Sequence, residues 1–185
     1  WSRALALLSE AAKLGVRSDI VARGSAMNAL ASEGHWQAAL ELLRSTGRSG
    51  GVELNLITFN SAITATERGL QWTHALWLLQ DVRERGIEPG VITFSAAISA
   101  VGKCGVWAQA LNLLAAMCAQ RLEGSVIGSA SALLACCEAR TWTLGLTLIS
   151  AMNESGLRPD ATSYGAASFL CEQYGHVSKE AELMT

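Results

Sequence analysis

The sequence predicts an all-α fold, a right-handed α-solenoid of antiparallel helix pairs with a period of about 35 residues. Three observations predict it. Tryptophan recurs at Trp1, Trp36, Trp72, Trp107 and Trp142, at gaps of 35, 36, 35 and 35, and each opens the phrase W-x-x-A-L or a near copy. Apolar residues then follow at the i, i+3, i+4, i+7 spacing of a helix stripe. Glycines fall between the stripes, and Pro89 and Pro159 stand where a second helix must end.

The segment 1–19 reads as the second helix of a truncated repeat, closing at Leu14-Gly15-Val16. Trp1 falls in the middle of a unit, so the chain is expected to be part of something longer. Residues 20–55 form the first complete repeat, with a turn at Gly34 and a glycine-rich loop from Gly47 to Gly51 that carries one inserted residue. Residues 56–90 show the unit most clearly. Phe59, Ala62, Ile63 and Thr66 make the first stripe, and Gly69 is expected to end that helix in the left-handed conformation. Trp72, Ala75, Leu76, Leu79 and Val82 make the second stripe, which Gly86 and Pro89 end. Residues 91–125 repeat the pattern with a turn at Gly105, and 126–160 repeat it down to Gly156-Leu157-Arg158-Pro159-Asp160. Residues 161–185 form a partial repeat, a first helix and the start of a second.

These helices need one another. A helix of about 13 residues is marginal alone in water, and a single apolar stripe requires a partner. Each unit therefore buries its face against its neighbours, which makes a stacked body. The repeated tryptophans are expected to pin adjacent helices, where truncating a buried Trp to Ala costs about 3–5 kcal/mol. Trp77 stands apart: it sits beside the stripe, where other units carry Ala6, Glu41, Asn112 and Thr147, and is expected on the outer surface.

Composition narrows the functional classes. Half of the residues are hydrophobic and 16% are charged, which excludes a disordered chain. No apolar run reaches the roughly 18 residues needed to cross a bilayer. The five cysteines include no C-x-x-C, and the three histidines lie far apart, so neither a disulfide framework nor a metal site is expected. The formal net charge is −2, low for a protein that grips many phosphates.

With the unit defined, a resemblance follows. Leu56-Ile57-Thr58-Phe59-Asn60-Ser61-Ala62-Ile63 and Val91-Ile92-Thr93-Phe94-Ser95-Ala96-Ala97-Ile98 resemble the V-x-T-Y-N-x-L-I opening of P-type pentatricopeptide repeats. Arg85-Gly86-Ile87-Glu88-Pro89-Gly90 and Ser155-Gly156-Leu157-Arg158-Pro159-Asp160 are similar to that family's K-G-I-x-P-D closing. The period fits this family better than tetratricopeptide repeats, which run at 34. The resemblance implies sequence-selective binding of single-stranded RNA, one base per repeat, in the RNA metabolism of a chloroplast or mitochondrion. It implies no cofactor, no membrane and no small-molecule substrate.

In such repeats the fifth and last residues read the base edge, the second wedges between bases, and the thirteenth often meets a phosphate. By resemblance, the fifth residues are Gly24, Asn60, Ser95, Ala130 and Gly165, and the last are Asn55, Gly90, Ser125 and Asp160, with Asp19 from the truncated unit. The wedges are Val21, Ile57, Ile92, Ile127 and Thr162. The thirteenth residues are Ser32, Arg68, Lys103, Glu138 and Gln173, of which Arg68 and Lys103 suit a phosphate. Only Asn60 and Ser95 bring a polar side chain to the fifth position, so residues 20–125 are expected to be the stretch most competent for RNA. Glycine and alanine have no side-chain donor with which to report a base edge.

The alternative reading is a scaffold whose surface binds proteins, which the negative charge and the sparse reader residues favour. An enzyme is not expected. H-x-E with P-C-x-x-C is absent, as is G-x-x-x-x-G-K-[ST], and the three aspartates, Asp19, Asp81 and Asp160, lie far apart.

Overall fold

The computed structural model describes residues 20–48, 55–120, 122, 126–139, 141–154 and 156–173, with Arg3, Ala6 and Glu10. The segment 1–19 lies outside these apart from those three residues, which are helical. The described residues form α-helices and turns: α1 (Ile20–Glu33), α2 (Trp36–Arg48), α3 (Leu56–Arg68), α4 (Trp72–Glu84), α5 (Val91–Gly102), α6 (Trp107–Ala119), α7 (Val126–Glu138), α8 (Trp142–Glu154) and α9 (Ala161–Gln173). Helices α3, α5, α7 and α9 start one period apart, and every second helix starts at its tryptophan. No helix among the described residues is long and apolar enough to cross a membrane.

The chain divides into two compact units, Trp1–Pro89 and Gly90–Thr185. In the first, α1 packs along α3, and α2 touches both. Helix α4 pairs with α3. The core is the expected stripe: Phe59, Ala62, Ile63 and Thr66 are fully buried, as are Ala75 and Val82 from α4 and Met27 and Leu30 from α1. In the second unit α7 lies between α5 and α9, with α6 and α8 alongside. Its core holds Phe94, Ile98, Met117, Leu133 and Ile149, all fully buried. A cluster of Leu133, Cys137, Ile149, Met152 and Ala166 joins α7, α8 and α9. Cys104, Cys118, Cys136 and Cys137 form no disulfide, and burial pushes the Cys136 thiol up from its ordinary value.

The turns repeat one hydrogen-bond pattern. After α1 the His35 N–H donates to the Leu30 carbonyl, and after α3 the Gln71 N–H donates to Thr66. Val106 does the same to Val101 after α5, and Thr141 to Cys136 after α7. This bond from five residues on satisfies carbonyls that a helix end leaves open. It requires a left-handed residue two places before each tryptophan, supplied by Gly34 at φ 73 and Gly105 at φ 69.

The turn after α3 corrects the expectation for Gly69. Gly69 has φ −79, and Leu70 takes the left-handed conformation at φ 54. Glycine is placed one residue early for a different reason. A Cβ on Gly69 would lie 2.3 Å from Cδ1 of Trp36, so the bare glycine makes room for the ring. Trp36 also meets the His74 ring, with centroids 4.9 Å apart. It therefore pins the preceding repeat to the next, as the spacing implies. The pins are shallower than expected: Trp36, Trp72 and Trp107 are half-buried, and the deepest core is Phe, Leu, Ile, Met and Val. The side chains of Trp1 and Trp142 lie outside the described residues.

Candidate RNA-binding face

The first helix of each repeat has two faces. On α3, α5 and α7, positions 4, 7, 8 and 11 are buried. Positions 2, 5, 9 and 13 fall on another side, because steps of three to four residues stay on one face of a helix. The structure places the candidate wedges there. Ile57 is 67% exposed, Ile92 71% and Ile127 67%. Thr162 is also exposed, and the side chain of Val21 lies outside the described residues.

The fifth residues differ among themselves. Asn60 is half-buried. Ser95 is buried, and its Oγ has no hydrogen-bond partner. Leaving a buried hydroxyl unsatisfied costs about 1–3 kcal/mol. Ala130 is buried, while Gly24 and Gly165 have open space where a Cβ would stand.

The last residues of the repeats do a job that the sequence did not reveal. Asn55 caps α3: the Thr58 N–H and the Thr58 hydroxyl both donate to its Oδ1, at 3.0 and 2.8 Å. Asp160 caps α9 likewise, accepting from the Ser163 N–H and hydroxyl at 2.8 Å each. A hydrogen bond from the Thr162 side chain, and then those from Ser163, hold the Asp160 carboxyl below the usual carboxylate range. Gly90 precedes α5 with no side-chain cap. The signal was available: Asn, Asp and Ser are favoured immediately before a helix. Ser125 lies outside the described residues, as do Asp19 and the side chains of Glu138 and Gln173.

Of the two candidate phosphate residues, Arg68 is exposed, and its Nη1 donates to the Ser32 carbonyl at the end of α1. That bond links one repeat to the next and uses one of the guanidinium's five N–H donors. Lys103 is exposed immediately after α5. Ser61 on α3 donates to Oδ1 of Asn28 on α1, a second polar link between repeats. Elsewhere Trp77 is exposed as expected, with the Arg44 guanidinium 5.9 Å from its ring centroid. The described residues contain no group of three His, Cys, Asp or Glu that could hold a metal ion.

Residues 41–104 match the pentatricopeptide repeat domain family. Over those residues the repeats are similar to pentatricopeptide repeats, and the fold is all-α, of the α-solenoid class. Among solved structures it is similar to maize PPR10, at 21% identity and a TM-score of 0.79 over 96% of this chain. It is similar to PPR10 in complex with an 18-nt psaJ RNA element, at 26% identity and a TM-score of 0.74 over 92% of this chain. It is also similar to the PPR domain of Arabidopsis thaliana protein-only RNase P 1 in complex with tRNA, at 15% identity and a TM-score of 0.76. There the match covers 86% of this chain and 84% of that domain. The chain spans about a quarter of the PPR10 chains, 27% and 28%. No curated protein sequence matches.

Proposed function

We propose that this chain binds single-stranded RNA, one nucleotide per repeat, through the face that carries repeat positions 2, 5 and 13. The observation that carries the reading is the recurrence of Ile57, Ile92 and Ile127. Each is about two-thirds exposed at the same place in its repeat, on a helix whose other large apolar residues are mostly buried. A β-branched side chain held in water is unfavourable unless something apolar covers it, and a stacked base is such a cover. Asn60 and Ser95 are the readers. Asn55, Gly90, Ser125 and Asp160 assist at the repeat ends, and Val21 completes the wedges. Arg68 and Lys103 meet phosphates.

The solved relatives with RNA bound support this reading. With two cations on the face, affinity is modest and depends weakly on salt, since each phosphate neutralised on a single strand contributes about 0.7 to the salt slope. The setting is the RNA metabolism of a chloroplast or mitochondrion, where the protein would act in processing, stability, editing or translation of a transcript. The chain acts there by binding.

The test is selection from a random single-stranded RNA pool at low salt, followed by titration of the enriched sequence. Asn60→Ala with Ser95→Ala is expected to weaken binding at least tenfold and to relax preference at two nucleotides. Arg68→Gln with Lys103→Gln is expected to weaken all sequences alike and to flatten the salt slope by about 0.7 for each cation removed. No enrichment, or unchanged affinity and preference in the reader variant, overturns the reading.

A further inference from the structure

In the first unit α2 and α4 both pack on α3 without touching each other along their backbones. Beside them lies a cleft of about 600 Å³, within the range of about 300–1,000 Å³ usual for small-molecule sites. One wall is a single face of α2, because Trp36, Leu40 and Arg44 follow at steps of four and Glu41 adjoins Leu40. Its apolar part is the buried Leu40 and the half-buried Trp36 ring. His74 on α4 lines the other side and steadies that ring, with centroids 4.9 Å apart. Nδ1 of His74 is buried without a hydrogen-bond partner, so the imidazole stands there for its packing and not for a bond of that nitrogen.

The two charged side chains of the cleft are not spent on each other. Glu41 and Arg44 are exposed and form no ion pair among the described residues, although they lie one turn apart. The Arg44 guanidinium instead crosses to α4, 5.9 Å from the ring centroid of Trp77, which is 45% exposed. That contact holds the guanidinium by cation–π attraction and leaves its N–H donors for something else. Stacking does not require these groups. At the same positions α6 carries Leu111, Asn112 and Ala115, and α8 carries Leu146, Thr147 and Ser150. The leucine recurs and the charges do not.

We propose that this cleft binds a guanine nucleotide with a terminal phosphate, free or at the 5′ end of an RNA. The base stacks on the Trp36 indole beside Leu40, a contact open to any base. Arg44 takes the phosphate, which its planar fork of donors suits. Glu41 chooses the base. Guanine offers N1–H and N2–H side by side to the two carboxylate oxygens. Adenine and cytosine place a ring-nitrogen acceptor beside the amino group, and uracil flanks its N–H with two carbonyls, so each of these repels a carboxylate. A peptide of one charge sign would satisfy either Glu41 or Arg44 and be repelled by the other. The site lies on second helices, apart from repeat positions 2, 5 and 13, and does not depend on the RNA reading of that face.

The test titrates the whole chain with GMP, read by tryptophan fluorescence. GMP is expected to bind at least tenfold more tightly than AMP, CMP, UMP or inosine monophosphate, which lacks the N2 amine. It is also expected to bind at least tenfold more tightly than guanosine, which lacks the phosphate. Glu41→Gln is expected to abolish the preference over inosine monophosphate, and Arg44→Gln the preference over guanosine. Thermal unfolding of both variants should match the native chain, since both side chains are exposed. Asn60→Ala with Ser95→Ala is expected to leave GMP binding unchanged, which keeps this result separate from the RNA reading. A 5′-phosphorylated RNA beginning with guanosine that displaces GMP at tenfold lower concentration than unlabelled GMP does assigns the site to an RNA end. One that displaces it no better assigns the site to the free nucleotide. Absence of GMP binding, or equal affinity for GMP and AMP, overturns the inference. An undiminished guanine preference in Glu41→Gln overturns it too, as does free tryptophan binding as tightly as GMP.

Discussion

Helices α3 and α5 differ from α7 and α9 most plainly at positions 5, 9 and 13. All four bury residues at positions 7 and 8 or their neighbours, and they keep the 35-residue spacing between starts. At positions 5, 9 and 13, α3 and α5 carry Asn60, Thr64 and Arg68, or Ser95, Ser99 and Lys103. Helix α7 carries Ala130, Leu134 and Glu138, and α9 carries Gly165, Phe169 and Gln173. The buried face must fit the neighbouring helix, because interiors pack without voids and volume changes are felt at once. The difference shows that these repeats can keep their helix spacing while changing the chemistry of positions 5, 9 and 13.

If packing is the shared part, breaking it should cost the same order in both regions. Phe59→Ala and Phe94→Ala each remove a fully buried ring, and each is expected to cost about 3–5 kcal/mol. Leu133→Ala on α7 is expected to cost about 2–5 kcal/mol. Urea unfolding reads all three. A cost below about 1 kcal/mol for Leu133→Ala would mean that the later repeats are held by something other than this core. Exposed Leu134→Ser, one residue away, is expected to change stability by less than about 0.5 kcal/mol.

The turns sharpen the comparison at smaller scale. Gly34 and Gly105 take the left-handed position at little cost, whereas Leu70 takes it in the turn after α3. A left-handed residue with a Cβ costs about 1–2 kcal/mol relative to glycine. Leu70→Gly is therefore expected to stabilise the protein by about 1 kcal/mol, since the leucine side chain is mostly exposed and little packing is lost. Gly69→Ala is expected to destabilise it by about 1–3 kcal/mol, because the new methyl would press on the half-buried Trp36 ring. Opposite signs at adjacent residues in thermal melts are the expected result. Equal signs would break the account of this turn.

That turn also marks where the sequence stops being legible. The stripe Phe59, Ala62, Ile63 and Thr66 is readable because burial follows helical periodicity, and all four are fully buried. The pairing of helices is readable from the tryptophan phrase. Gly69 misleads because a glycine near a helix end suggests a left-handed residue. Its other use, leaving room for a ring 33 residues earlier, appears only when the repeats are stacked. The exposed isoleucines are legible by repeat position. The burial of Ser95 is not, since a small polar residue carries no periodic signal of its own. Leu134 and Phe169 sit 35 residues apart, so their spacing is visible in the sequence, but their exposure is not.

The smallest expected effect separates the two regions by charge. Asn55 and Asp160 cap α3 and α9 with the same geometry, an Oδ1 that accepts from the N–H and the hydroxyl three residues on. Replacing either with Ala is expected to cost about 1 kcal/mol. Only Asp160 titrates. Its carboxyl is depressed in the folded chain, foremost by the Thr162 side-chain hydrogen bond, so protonation favours the unfolded chain. The extra stability is present above the ordinary aspartate range near about 4 and is lost as pH falls through the lower folded value. The carboxylate is also exposed, so solvent screening keeps this contribution small. The difference in stability between the native chain and Asp160→Ala should therefore shrink between about pH 5 and 2. The corresponding difference for Asn55→Ala should stay constant across the same window, because an amide has no proton to gain there. A pH-independent cost at Asp160 would mean that its carboxylate contributes no more than a neutral cap.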